Sequence, residues 1–124
     1  MGFNIRTAPQ KVSVMDLRGE LDRHLGIKDL RGTIANLHPS QETRLIFNFK
    51  DVTYVCSEAV GTICSLAEEI RRAGGHVACC ALTGLPKDVF ELLGVGKILS
   101  LYETEAAALK GIAAEPAAGS SNKN

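Results

Sequence analysis

The side chains that could carry chemistry in this chain are its cysteines and histidines. The sequence has four cysteines and three histidines, namely Cys56, Cys64, Cys79, Cys80, His24, His38 and His76. Zinc sites and redox pairs need CxxC spacing, or cysteines and histidines at short fixed separations, and neither pattern occurs. We interpret the cysteines as small apolar packing residues in a reducing compartment and predict no metal site. A nucleophilic pair of Cys56 with His24 stays open, although no third group is positioned to orient it.

Sequence signatures of common enzyme sites are missing as well. The chain contains no GxGxxG, GxxxxGK[ST], GxSxG or HExxH motif. A single GxG at residues 94–96 follows a helical pattern, so it lacks the strand, turn and helix that a dinucleotide site requires. We therefore predict no catalytic residue, no bound cofactor and no enzymatic activity.

The most informative stretch is residues 51–61 (DVTYVCSEAVG), in which a strand ends and a helix begins near Ser57. The first turn of a helix has unpaired backbone N–H groups and lies at the positive end of the helix dipole. Such a place accepts a hydroxyl, a carboxylate or a phosphate. On spacing alone, Ser57 is predicted to be the N-cap and Glu58 a first-turn acid that helps the helix to begin.

Strands surround this stretch on both sides. Apolar alternation and short apolar runs predict strands at residues 3–8, 12–18, 45–49, 76–82 and 98–102. The segment 19–23 and a turn at Lys50–Asp51 interrupt the pattern after the second and third strands. Cys79 and Cys80 are neighbours in a predicted strand, so their side chains should point to opposite faces of the sheet.

Four apolar stripes with helical spacing lie between and after these strands. The first helix, with Asp22 in the N-cap position, carries Ile27, Leu30, Ile34 and Leu37. The second carries Val60, Ile63, Cys64, Ala67 and Ile70 and ends at Gly74–Gly75; the third carries Leu85, Val89, Leu92 and Leu93; the fourth, capped by Thr104, carries Ala106, Leu109 and Ile112. The order β-β-α-β-α-β-α-β-α predicts an α/β fold in which about four helices pack on a mixed sheet of four to five strands.

Composition bounds the remaining possibilities. The 124 residues suffice for one domain, and the polar, breaker-rich end predicts a domain at 1–114 with a flexible tail at 115–124. Basic and acidic residues number 14 each, which argues against a nucleic-acid partner. No apolar run reaches membrane-spanning length and the start has no signal-peptide core, so we expect no membrane insertion and a cytoplasmic location.

Several segments in this order resemble the STAS domain, the fold of anti-sigma-factor antagonists. They are residues 19–22 (GELD), 45–61 (LIFNFKDVTYVCSEAVG), 74–75 (GG), 84–99 (GLPKDVFELLGVGKIL) and 102–108 (YETEAAA), and together the resemblance spans about residues 3–114. It implies a STAS-type α/β fold and a non-catalytic protein-interaction switch of bacterial sigma-factor signalling.

The resemblance also implies a partner and a site. Antagonists of this kind dock on an anti-sigma factor that is a serine kinase of the GHKL ATPase class, and phosphorylation at the start of the second helix releases them. The phosphate adds about −1.5 to −2 charges at the interface. By resemblance, the partner interface should comprise Asp22, Cys56, Ser57, Glu58, Ala59, Val60 and Gly61, and the protein should be a monomer or a weak dimer.

The chain departs from the family pattern at the phosphorylation site. Where the family has Asp-Ser-Ser-Gly-Leu-Gly or Asp-Ser-Thr-Gly-Leu-Gly, this sequence has Cys-Ser-Glu-Ala-Val-Gly at residues 56–61. Glu58 therefore replaces the phosphoacceptor, and a serine kinase cannot phosphorylate it.

Three interpretations of Glu58 stay open. It can imitate the phosphorylated state and prevent binding to a kinase, or it can contact a different partner attractively, which we favour. In the third, Ser57 serves as the phosphoacceptor instead.

Two alternative functions are also open. The chain can be a STAS accessory subunit of a membrane lipid or anion transport system, for which Glu58 is acceptable because no phosphorylation cycle is needed. It can also be a small thiol enzyme that uses Cys56 at the start of a helix, although we favour a packing role for this cysteine.

Overall fold

A computed structural model describes residues 2–8, 11–21, 27–36, 43–97 and 99–113. Within these ranges the strands are β1 (Gly2–Ala8), β2 (Val12–Leu21), β3 (Arg44–Val55), β4 (His76–Cys80) and β5 (Ser100–Tyr102). The helices are α1 (Ile27–Asn36), α2 (Ser57–Arg72), α3 (Gly84–Leu92) and α4 (Glu105–Ala113), with a 3₁₀ turn at Val95–Lys97. The predicted element order and α/β class are confirmed. The predicted tail at 115–124 lies outside the described residues.

The strands form one mixed sheet in the order β1-β2-β3-β4-β5. β1 pairs with β2 in antiparallel orientation, whereas β2, β3, β4 and β5 pair in parallel. Each parallel pair is connected by a helix, as a parallel connection requires. The carboxyl ends of β2 to β5 therefore point to one edge of the sheet, and the segments that begin α2 and α3 lie there.

Two apolar layers cover the two faces of the sheet. One face packs against α1, α2 and α3, and its largest buried side chains include Phe47, Phe49 and Phe90. The rings of Phe49 and Phe90 meet edge to face with centroids 5.1 Å apart. The other face packs against α4 through Ala108 and Ile112. Burial on both faces explains why the middle strands are nearly continuous apolar runs.

The second and third strands are longer than the sequence pattern predicts. β2 continues to Leu21, through the segment that we expected to break it, and β3 continues through Lys50–Asp51, which we expected to form a turn. Two register shifts, between Asp16 and Arg18 and between Gly19 and Glu20, interrupt this part of the ladder. Because each bulge shifts the inward-facing positions by one residue, the two-residue alternation disappears although the pairing continues.

The third helix buries a different face from the one its leucines indicate. Pro86 and Phe90 are buried, while Leu85 is 50% exposed and Leu92 is 85% exposed. The spacing of these leucines correctly predicts a helix, but it does not identify the face that packs on the sheet. Phe90, which fits the edge of Phe49, determines which side of α3 faces the sheet.

A row of polar side chains holds the beginning of α4 to the sheet. Asn4, Asp16 and Asn48 are register neighbours across β1, β2 and β3. Arg6 donates to both carboxylate oxygens of Asp16, at 2.6 and 3.1 Å, and also to Oε1 of Glu105 at 2.5 Å. Asn48 donates from Nδ2 to Asp16 Oδ1 at 2.8 Å. At the other end of α4, Arg44 Nε donates to the carbonyl oxygen of Ile112 at 3.2 Å.

We predict that Asp16 stabilises the fold only where it is ionised. The hydrogen bond from Arg6 lowers the pKa of Asp16 below its usual value of 3.8, so its contribution is present above that pH and is lost as the pH falls further. At pH 7, Asp16→Asn should lower the free energy of unfolding by about 1 kcal/mol, since the pair is partly exposed. Urea titrations between pH 2.5 and 7 measure this difference, which should shrink toward zero at the acid end.

The exposed Asp51 on β3 provides the control for this experiment. Asp51→Asn should change the free energy of unfolding little across the same pH range. A difference for Asp16→Asn that stays constant down to pH 2.5 would show that the carboxylate charge is not the source of the stability.

Candidate functional site

The start of α2 is fixed by Cys56, the residue between β3 and the helix. Its N–H donates to the carbonyl oxygen of Leu21 at the end of β2, at 3.0 Å, and its own carbonyl oxygen accepts the N–H of Val60 at 3.1 Å. Its Sγ accepts the N–H of Ala59 at 3.4 Å. Cys56 therefore joins the end of β2 to the first turn of α2 and is the N-cap of that helix.

This finding corrects the prediction that Ser57 is the N-cap. Ser57 is the first residue of the helix and is exposed, and Glu58 follows it as the acid of the first turn. The sequence did not indicate a cysteine cap because a thiol is a weak hydrogen-bond acceptor. The position nevertheless needs an acceptor, since the first N–H groups of a helix have no partner within the helix.

The structure divides the residues of the predicted interface into two groups. Ser57, Glu58 and Gly61 are exposed on the first two turns, whereas Ala59 and Val60 are 5% and 2% exposed and belong to the apolar core. Cys56 is half-buried and packs against the same core. Asp22, the remaining predicted residue, lies outside the described residues. The exposed surface at the start of α2 therefore consists of the Ser57 hydroxyl, the Glu58 carboxylate and the backbone at Gly61.

Gly61 has no side chain on this surface, although the fold has room for one. A Cβ atom built on Gly61 meets no atom within 4 Å. A glycine inside a helix lowers stability by about 0.5–1 kcal/mol relative to alanine. Gly61 therefore costs the isolated domain stability, and a second molecule could approach the helix backbone closely at this turn.

Sequence reasoning did not identify Tyr54, which lies two residues before Cys56 near the end of β3. Its side chain is 39% exposed, and its register partner is Glu20 on β2. An aromatic side chain exposed on a strand is a signal for protein contact, because tyrosine is enriched in interfaces. The signal was hidden because the strand was expected to end before residue 50.

The rest of α2 is an ordinary core helix, as predicted. Ile63, Ala67 and Ile70 are buried on the stripe expected from the sequence. The helix ends at Arg72, and after the C-cap Ala73 the chain turns at Gly74, which has a φ of +94°. Gly74 and Gly75 donate to the carbonyl oxygens of Arg71 and Ile70 at 2.9 Å, which is the Schellman arrangement.

Within the described ranges, the side chains that could carry chemistry lie apart from one another. Among the described residues, no cluster of three His, Cys, Asp or Glu side chains could hold a metal ion. His76 begins β4, at the opposite end of the sheet from Cys56, while His24 and His38 lie outside the described residues. In the part of the chain that the structure describes, Cys56 therefore has no histidine base, and its sulfur serves as a helix cap.

The other cysteines are packing residues. Cys79 and Cys80 lie in opposite apolar layers, as predicted for neighbours in a strand. Burial raises the pKa of both thiols, that of Cys80 to about 12, and it also raises the pKa of Cys64. High thiol pKa values disfavour the reactive thiolate form.

None of the helices in the described ranges combines the length and the apolar character needed to cross a membrane.

The profile of one protein family, described as the STAS domain, matches residues 6–108 of this chain. Among characterised relatives, the anti-sigma F factor antagonist of Paenibacillus polymyxa is 24% identical over 98 residues, which cover 79% of this chain and 84% of the relative.

Solved structures share the fold over nearly the whole chain. An anti-sigma-factor antagonist (STAS) domain protein from Planctomyces limnophilus superposes with a TM-score of 0.77 at 17% identity, covering 90% of this chain and 98% of that one. The anti-sigma factor antagonist SpoIIAA in its unphosphorylated form superposes with a TM-score of 0.71 at 22% identity, with 90% and 96% of the two chains covered. At these identities the likeness establishes the fold.

The assignment of the N-cap to Cys56 can be tested with two neighbouring alanine variants. Cys56→Ala removes the sulfur that accepts the Ala59 N–H, so it should lower the free energy of unfolding by about 0.5–2 kcal/mol. Ser57→Ala should change it by less than about 0.5 kcal/mol, because the Ser57 side chain is exposed. Cys56→Ser retains an acceptor and should restore most of the loss. Chemical denaturation measures all three, and a larger loss for Ser57→Ala than for Cys56→Ala would return the cap to Ser57.

Proposed function

The chain belongs to the STAS domain family and is an anti-sigma-factor-antagonist-like member of it, and from this premise we propose a specific mode of action. The protein is a cytoplasmic, non-catalytic antagonist of an anti-sigma factor of the GHKL serine-kinase class, and this partner differs from the kinases of the family pattern in that it meets Glu58 attractively. The antagonist binds through the exposed start of α2, where Ser57, Glu58 and Gly61 lie. The domain acts by occupying its partner, so that the sigma factor is released.

The observation that carries this proposal is the exposure of Glu58 on a firmly held first turn. Cys56 joins this turn to β2 through its N–H and caps it through its sulfur. A carboxylate at a helix start is favoured by the helix dipole. Because the turn is held by the fold, a partner can meet the carboxylate with little loss of conformational entropy.

Glu58 changes how such an interaction is regulated. A phosphorylated serine carries about −1.5 to −2 charges, whereas a glutamate carries one and cannot be reset by a phosphatase. We propose that Glu58 pairs with a cationic side chain of the partner, which makes binding independent of phosphorylation at this position. Of the first two residues of α2, Ser57 is the one that carries a hydroxyl group, and it is exposed.

The charge of Glu58 leads to a graded prediction for partner affinity. Glu58→Gln should weaken binding severalfold, and Glu58→Lys at least tenfold, because reversal replaces attraction by repulsion. The partner is first recovered from a lysate of the source organism with the wild-type domain and identified by mass spectrometry. It is then purified, and its affinity is measured by calorimetry at two salt concentrations. The loss should be smaller at high salt.

Comparing the wild type with Glu58→Ser in kinase binding tests whether Glu58 attracts the partner or imitates a phosphate. If Glu58 imitates the phosphorylated state, Glu58→Ser should bind a GHKL kinase that the wild type does not bind, and the proposal would be wrong. In our proposal the wild type captures the kinase, and Glu58→Ser binds more weakly. Recovery of transporter subunits by the wild type would contradict the anti-sigma assignment altogether. Glu68→Lys, ten residues further along α2, controls for a general effect of charge.

Gly61 allows the partner-facing surface to be tested without destabilising the domain. Gly61→Ala should raise the free energy of unfolding by about 0.5–1 kcal/mol, since the added Cβ meets no atom of the chain within 4 Å. The same methyl group should weaken partner binding at least fivefold if the partner packs on this turn. Thermal denaturation and calorimetry provide the two measurements.

Gly32 in α1 is a matched control for Gly61. It is exposed, and a Cβ built on it also meets no atom within 4 Å. Its neighbour Arg31 pairs with Glu69 at 3.0 Å, about 18 Å along α2 from Ser57. Gly32→Ala should therefore stabilise the domain equally without changing affinity. If Gly61→Ala also leaves the affinity unchanged, the partner does not cover the start of α2.

A further inference from the structure

A second surface of the molecule carries features that the proposed function does not use. A cavity of about 240 Å³ lies between α3 and β5, lined by Leu82, Lys87, Phe90, Glu91, Leu101, Tyr102 and Glu103. Phe90 is fully buried, and Leu101 is 37% exposed. We refer to these seven residues as the α3–β5 groove. None of them belongs to α2 or to the residues that lead into it.

The groove lies at the carboxyl ends of β4 and β5. Leu82 follows β4, and Glu103 follows β5. In open α/β sheets, ligands bind outside the carboxyl ends of the strands, at the point where the strand order reverses. The order from β2 to β5 contains no reversal, so the cavity itself, rather than its position, indicates a binding site.

Within the described residues, β5 is the last strand of the sheet, and its outer edge has no pairing partner. The carbonyl oxygen of Tyr102 accepts a hydrogen bond of 3.2 Å from the N–H of Ala81. It therefore points toward β4. Successive residues of a parallel strand direct their backbone groups to alternate sides. The N–H and C=O of Leu101 therefore point to the open edge, beside the cavity that its own side chain lines.

The rim of the groove carries charges that the rest of the described chain does not neutralise. Glu91 and Glu103 contribute two carboxylates and Lys87 one ammonium group, and no ion pair or hydrogen bond joins these side chains to other described residues. Glu105, by contrast, is matched within the fold by Arg6. The groove thus combines an apolar floor with a net negative rim, which complements a ligand that is apolar in the middle and basic at its ends.

We propose that the α3–β5 groove is a docking site for an extended peptide segment of a partner protein. The segment places one large apolar side chain in the cavity, pairs its backbone with Leu101, and carries Lys or Arg residues that face Glu91 and Glu103. Small-molecule sites are usually about 300–1,000 Å³, so a cavity of 240 Å³ suits a single side chain better than a cofactor. Addition of a strand to an open edge is a common way to bind a peptide.

The proposal is tested with a defined peptide and the whole 124-residue chain. The probe is the capped, fluorescein-labelled peptide Ser-Lys-Val-Phe-Val-Lys-Ser, and its binding is measured by fluorescence anisotropy. We expect submillimolar affinity. Replacing the central Phe by Ala, or both Lys by Glu, should weaken binding at least tenfold. Amide NMR spectra of the labelled protein should change at Leu101, Glu103 and Phe90 when the peptide is added.

Protein variants localise the binding and include a control. The double substitution Glu91→Lys with Glu103→Lys should weaken the peptide at least tenfold, and both residues are exposed, so the fold should be kept. Leu101→Asp should weaken it similarly, because its side chain lines the cavity. The double substitution Glu20→Lys with Asp51→Lys changes the net charge equally on other exposed residues and should leave binding unchanged.

Three results would overturn the proposal. One is the absence of saturable binding by the wild type at millimolar peptide. Another is an equal loss of affinity in the groove variants and in the Glu20 and Asp51 control, which would indicate general charge attraction. The last is self-association in analytical ultracentrifugation that Leu101→Asp abolishes, because a second copy would then occupy the groove. None of these outcomes depends on the start of α2, so the proposed anti-sigma function stands or falls separately.

Discussion

The parallel pairing of β2 with β3 is the interaction on which the rest of the structure depends. β3 has 12 residues and β4 has five, so among the described strands only β2 pairs with the second half of β3. This two-stranded extension carries Tyr54 and leads directly into Cys56, whose N–H returns to Leu21 on the neighbouring strand. The first turn of α2 is therefore positioned by the ends of two strands rather than by the interior of the sheet. Gly19, with a φ of +82° that glycine adopts without steric cost, lies on β2 at the second register shift of this pair.

The fold was largely predictable from sequence because apolar spacing reports burial. Leu45, Phe47 and Phe49 alternate correctly on β3, and Ile63 and Ile70 lie on the buried stripe of α2. The pattern failed where burial no longer alternates. Beyond residue 49, β3 has no β4 neighbour and contains two bulges, so polar side chains appear in an intact strand. In α3 the pattern rested on the leucines, whereas the contact of Phe90 with Phe49 determines which face of the helix packs on the sheet.

The place of the candidate residues in the fold was predictable, but the helix cap and the burial of each residue were not. The family resemblance and the helix-start pattern both indicated Ser57 and Glu58, and both side chains are exposed at the start of α2. The apolar stripe assigned Val60 to the core, whereas the resemblance grouped the buried Ala59 and Val60 with these exposed residues because all four are consecutive. Sequence reasoning assigned the cap to a serine, since hydroxyls are the usual caps, although the backbone geometry places the cysteine there. The groove beside β5 could not be predicted, because it requires the relative placement of a helix and a distant strand.

Cys79 and Cys80 make the two sides of this sheet distinguishable to a chemical reagent. The two sulfurs are consecutive in one strand, yet one is covered by α1, α2 and α3 and the other by α4. Both are fully enclosed, so a thiol reagent reaches either one only when the layer above it opens. The ratio of their modification rates compares the local opening free energies of the two layers directly. These two neighbouring positions thus record whether the domain loosens first on the side of α1, α2 and α3 or on the side of α4.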